Sequence, residues 1–147
     1  MSSQGGPAGD GSFERAMTAY YLQPDGARLP FTATLGFDRA DPYAVRLRLR
    51  TTDVRTVTWT FARQLLIDGG RRPAGVGAVE VRPAFHGESR LLALSFTSAA
   101  GRAEVQLPYP TVVAFLRDAY EAVPPGAEGD HVDWNAELAR LRGDAEQ

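Results

Sequence analysis

The run YAVRLRLR, Tyr43 to Arg50, alternates without a break. Tyr43, Val45, Leu47 and Leu49 fall on one side, and Ala44, Arg46, Arg48 and Arg50 fall on the other. A period of two belongs to a strand with one face buried and one face in water, because successive side chains of a strand point to opposite sides. Other segments carry the same kind of signal. FERAMTAYYL (Phe13–Leu22) is an aromatic-rich strand, and LPFTATLGF follows it after QPDGA. In that turn Pro24-Asp25-Gly26 supplies a fixed φ and a permissive glycine, so the two strands form a hairpin. VGAVEVRP sets Val79 and Val81 against Glu80 and Arg82, and RLLALSFTS with RAEVQLP makes a second hairpin around Ala99-Ala100-Gly101. AFHGES reads as a loop.

Helical periods interrupt this β pattern. In TFARQLLIDGG, Thr60 is an N-cap candidate, Phe61, Ala62, Leu65 and Leu66 are apolar, and Gly69-Gly70 reads as a stop. PTVVAFLRDAYEAV places Val112, Phe115, Leu116, Ala119, Tyr120 and Val123 on one stripe, with Pro110 in its first turn and Pro124-Pro125-Gly126 ending it. DWNAELARLR follows, with Asp133 as a cap candidate and Trp134, Leu138 and Leu141 on one face. Strands, a short inserted helix, more strands and C-terminal helices define an α+β fold with mostly antiparallel β-sheets.

A chain of 147 residues is long enough for one domain with a real core. The expected organisation is a disordered tail over residues 1–12, MSSQGGPAGDGS, followed by a single domain over 13–147. The absence of cysteine excludes disulfides, thiolate metal sites and cysteine nucleophiles. No basic start leads into an apolar signal core, and no apolar run approaches the roughly 20 residues that span a bilayer, so a cytosolic protein is expected.

Motifs for chemistry are weak. Gly75 and Gly77 in PAGVGAVEV precede a strand rather than a helix, and no GK[ST] follows, so a glycine-loosened strand start fits better than a phosphate loop. His131 lies beside Asp130 and Asp133, and His86 sits near Gly87, but neither has the spacing of a zinc site or a catalytic triad. The carboxylates Asp68, Glu88, Asp118, Glu121 and Glu128 are scattered, and Ser95 lacks a nucleophile elbow. These residues give no cofactor, no metal and no enzyme.

The arginine row leaves three roles open: a nucleic-acid backbone, an acidic protein partner, or ion pairs with carboxylates on neighbouring strands such as Glu80 and Glu104. The net charge of −2 weighs against nucleic acid, because phosphate binding draws on a basic excess. All 16 basic residues are arginine, so their choice over lysine carries little chemical meaning. Trp59, Trp134 and the Phe13–Tyr21 aromatics could stack on single-stranded bases or belong to a core or subunit interface. The strands offer more apolar surface than two or three helices can cover, which favours self-association.

DPYAV, WTFARQLLIDGGRRPAGVGAVEVRP, FL followed by AVPPG, and HVDWNAEL together resemble the SsgA-like family of actinobacterial sporulation and cell-division proteins, most nearly its SsgB type. The match runs from Phe37 to about Leu141. It implies a whirly-like fold, a homotrimer and no catalytic activity. It further implies a cytoplasmic adaptor at the division septum that positions the tubulin-like protein FtsZ and promotes its assembly. The alternative on a whirly-like fold is single-stranded nucleic-acid binding. The candidate partner-binding residues are Arg46, Arg48, Arg50, Glu128, Asp130 and His131.

Overall fold

The structure, a computed structural model, describes residues 11–50 and 56–125. Its elements are β1 (Phe13–Leu22), β2 (Arg28–Asp38), β3 (Asp41–Arg50), β4 (Thr56–Ala62), α1 (Arg63–Arg71), β5 (Ala74–Val76), β6 (Val79–His86), β7 (Ser89–Ser98), β8 (Gly101–Pro108) and α2 (Tyr109–Ala122). All eight strands join one antiparallel sheet in the order β4-β3-β2-β1-β8-β7-β6-β5. The expected α+β class holds, with one sheet where the sequence left the number open.

The sheet is strongly curled. Four strands separate β4 from β7, so a flat sheet would hold them about 24 Å apart. Instead Trp59 of β4 stacks on Phe96 of β7 with ring centroids at 4.6 Å. The two halves thus fold toward each other into a half-barrel. Its inner face carries Leu35, Phe37, Val45, Leu47, Val81, Leu92, Leu94 and Leu107, all fully buried. Phe115, Leu116 and Ala119 of α2 and Leu66 and Ile67 of α1 belong to the same core. The α2 stripe read from the sequence is the face that packs, and the helix ends at Ala122 ahead of Pro124-Pro125.

Three boundaries differ from the sequence reading. Thr60 does not cap α1, because Thr60, Phe61 and Ala62 pair with Arg46, Val45 and Ala44 of β3, and that ladder keeps them extended. The helix starts at Arg63, behind Ala62, which makes no side-chain cap bond. AFHGES is no loop: Ala84, Phe85 and His86 pair with Leu91, Arg90 and Ser89, leaving a tight turn at Gly87-Glu88 where Gly87 adopts φ +61°. Gly69-Gly70 does not stop α1 either, since the helix runs through to Arg71. A Cβ on Gly69 would stand 2.2 Å from Cγ1 of Val81, so this glycine is where α1 lies directly on β6. Gly75 and Gly77 fall in the β5–β6 hairpin, with Gly77 at φ +60° in the turn, as a strand start rather than a phosphate loop requires.

Arginines tie the helix C-termini to the sheet. Arg90 of β7 donates to the Gly70 carbonyl at 3.0 Å. Arg39, in the β2–β3 turn, donates to the Ala122 carbonyl at 3.0 Å, and its own backbone N–H donates to Ser12 Oγ at 3.0 Å. Cations at these positions face the negative end of the helix macrodipole and satisfy carbonyls that have no partner within the helix. The expected final helix at Asp133–Arg142, with Trp134, lies outside the described residues, as do residues 1–10 of the expected tail.

Candidate interaction surface

The outer face of the sheet bears the arginine row. Arg46, Arg48 and Arg50 register with Thr60, Thr58 and Thr56 of β4 on one side. On the other side Arg46 faces Gly36 and Arg48 faces Thr34 of β2. Gly36 in turn pairs with Glu14 of β1. Since Gly36 has no side chain, Arg46 can lie over β2, with its guanidinium 3.7 Å from where a Cβ on Gly36 would stand. Arg48 reaches across β2 to β1, donating to both carboxylate oxygens of Glu14 at 2.6 and 3.1 Å. That hydrogen bond holds the Glu14 carboxyl below its ordinary range against the opposing effect of burial, and it raises the Arg48 guanidinium. Arg46 lies 3.6 Å from Asp38. Arg50 is exposed and has no ion-pair partner among the described residues.

Ion pairing on the sheet surface is therefore real, but the β3 row uses Glu14 and Asp38 rather than Glu80 and Glu104. Those two carboxylates serve other arginines. Arg82 makes a two-pronged contact with Glu104, both oxygens at 2.9 Å, and Arg102 lies 3.7 Å from Glu80. Between them Ser95, nearly fully buried, accepts from Arg102 at 3.0 Å and from Arg82 at 3.4 Å. The hydroxyl thus belongs to a surface charge network. His86 is exposed at the end of β6. Glu128, Asp130 and His131 lie outside the described residues. Among the described residues no group of His, Asp or Glu could hold a metal ion, and no helix is long and apolar enough to cross a membrane.

Sequence reasoning missed Arg63. It is only 2% exposed, at the first position of α1, and its guanidinium lies 4.0 Å from the Tyr120 ring centroid and 5.0 Å from that of Tyr43. Its Nη1 donates to the Ala119 carbonyl at 3.3 Å. Burial lowers its pKa from the ordinary arginine value, and Tyr120 and Tyr43 oppose that shift. The guanidinium stays charged, because the ordinary value is so high. One signal was available: Arg63 stands three and four residues before Leu66 and Ile67, on the buried side of α1. Arg15 is similar. It shares the inner side of β1 with Met17 and Ala19 and meets Asp118 of α2 at 2.7 Å.

Fold and surface define an α+β half-barrel domain whose outer sheet face is a lattice of arginine–carboxylate pairs. The chain belongs to the SsgA family: the profile for the Streptomyces sporulation and cell division protein SsgA matches residues 31–128. It is 50% identical over 118 residues to the sporulation-specific cell division protein SsgB of Frankia casuarinae, covering 80% of this chain and 82% of the relative. It is 40% identical over 114 residues to SsgB of Streptomyces coelicolor, covering 77% and 82%. The solved structure of an SsgA-like sporulation-specific cell division protein from Thermobifida fusca superimposes with a TM-score of 0.74 at 34% identity, covering 95% of this chain and 98% of that one.

Proposed function

We propose that this chain is a non-enzymatic adaptor of sporulation-specific division that positions FtsZ at septum sites in the cytoplasm and promotes its assembly. The observation that carries the reading is the family membership, through relatives named as sporulation-specific cell division proteins. The outer sheet face supports it, because Arg50 projects beside the paired Arg46 and Arg48 and is open to an acidic protein surface. Single-stranded nucleic acid finds less support. Trp59 is stacked on Phe96 rather than presented to bases, and two of the three row arginines already hold carboxylates. Leu29, Tyr43, Val57 and Phe85 are large apolar side chains left exposed, which supports a homotrimer or other self-association.

The test is a pelleting assay with purified FtsZ and GTP. The adaptor reading expects the protein in the pellet and more polymer than FtsZ alone forms. Protein that stays in the supernatant with polymer mass unchanged rejects direct FtsZ binding.

A further inference from the structure

The two edges of the sheet are built differently. One ends in β5, only 3 residues long and packed against α1. Short and covered edges are how proteins keep strands from pairing with other chains. The other edge, β4, has 7 residues, TVTWTFA, without a charge, a proline or a glycine. Thr56, Val57, Thr58, Thr60 and Ala62 are exposed, and among the described residues β3 alone pairs with β4. Among the described residues none of the usual devices blunts it. β-branched and aromatic residues also favour the extended backbone that strand addition needs.

The geometry points to β4 as a docking edge for an extended acidic segment of a protein partner, which would join the sheet as a ninth strand. This deepens the adaptor reading by naming what the surface takes, and rests on that reading for the partner being a protein. Charge selects the occupant. An added strand lies about 10 Å from β3, two strand spacings, with every second side chain on the face that carries Arg46, Arg48 and Arg50. Carboxylates at those alternate positions come within combined side-chain reach of the row, above all of Arg50, which has no ion-pair partner among the described residues. The threonines between them carry no charge to compete. A second copy pairing β4 to β4 would instead put two arginine rows of the same sign on one continuous face.

The experiment uses the full chain and a blocked peptide matched in length to β4, alternating glutamate and valine, with amide hydrogen exchange as the readout. Binding should slow exchange at alternate amides of Thr56–Ala62. Replacing glutamate by lysine in the peptide should abolish binding, as should N-methylating the peptide amides that face the edge. Arg50→Glu, a change at an exposed side chain, should weaken binding roughly fivefold to tenfold. Four results would overturn the inference: no binding, binding that leaves the β4 amides unchanged, binding indifferent to N-methylation, or protection already present in the free chain. Protection in the free chain that grows with protein concentration would assign the edge to a second copy. Concentration-independent protection would assign it to the chain's own acidic segment 126–147. Exchange measured in FtsZ pellets separates this inference from the adaptor reading. Co-pelleting without β4 protection keeps the adaptor and rejects the edge, whereas peptide binding along β4 without co-pelleting keeps the edge and rejects FtsZ.

Discussion

Replacing Gly69 by alanine should destabilise the protein, although alanine is the better helix former. The new methyl would sit 2.2 Å from Cγ1 and 2.4 Å from Cβ of Val81, and 2.9 Å from the Val81 carbonyl oxygen. Carbon atoms in good contact stand about 3.5–4.0 Å apart, so α1 or β6 must retreat by more than an ångström. The obstacle is a stiff β-branched side chain on a backbone paired with Ala74 on one side and Leu94 on the other, and neither can swing aside. Overpacking of this kind costs about 1–3 kcal/mol, and this site belongs at the upper end. Helix propensity returns about 1 kcal/mol, which leaves a net loss of about 2 kcal/mol. For a chain of this size that lowers Tm by about 4–8 °C. Urea and thermal unfolding of the full chain measure the loss. A cycle with Val81→Gly tests its cause, since removing both Cγ1 and Cβ should relieve at least about 1 kcal/mol of the alanine penalty. If Gly69→Ala is neutral or stabilising, or if the two changes simply add, the close approach of α1 to β6 is not why glycine stands there.

Three further outcomes are expected. Glu14→Gln should cost a few tenths of a kcal/mol at neutral pH, because the pair with Arg48 is largely solvent-exposed. Since folding depresses the Glu14 pKa, that contribution is present above the ordinary glutamate range and is lost as pH falls through the folded value; wild type and variant should converge in acid, as parallel urea melts would show. Arg63→Ala should cost about 2–4 kcal/mol, by removing the stack against Tyr120 and the bond to Ala119, whereas Arg50→Ala should stay within about 0.5 kcal/mol; equal midpoints for the two in urea would contradict the burial of Arg63. The triple change Arg46→Glu, Arg48→Glu and Arg50→Glu should keep one cooperative thermal transition while abolishing the gain in FtsZ polymer; loss of the transition would contradict surface placement of the row.

Strands were legible where one face is buried and the other wet, because that contrast writes itself into alternate residues. Tyr43–Arg50 and Val79–Arg82 show it, Phe13–Leu22 was legible from its aromatic content instead, and the α2 stripe is the helical equivalent. Less legible was whatever depends on distant partners. The arginine row was read on the correct face, but its partners Glu14 and Asp38 reach it only through strand order and the bare surface of Gly36. Gly69 read as a stop because glycine carries the same letter whether it ends a helix or admits a neighbouring strand. Arg63 drew no reading of its own, because charged residues are normally solvated, and only the fold shows two tyrosine faces and the Ala119 carbonyl around it.

Arg39 holds both ends of the described domain at one corner. Its backbone binds Ser12, just ahead of β1, while its side chain binds Ala122, the last residue of α2. Topologically the domain is then almost a closed ring, fastened by one residue of the β2–β3 turn. A short linker across that corner would allow the chain to be reopened elsewhere, and the exposed Ala99–Ala100 turn of the β7–β8 hairpin is the natural place. The same geometry means that a reporter fused to Ser12 and one fused to Ala122 would sit side by side and view the same surroundings.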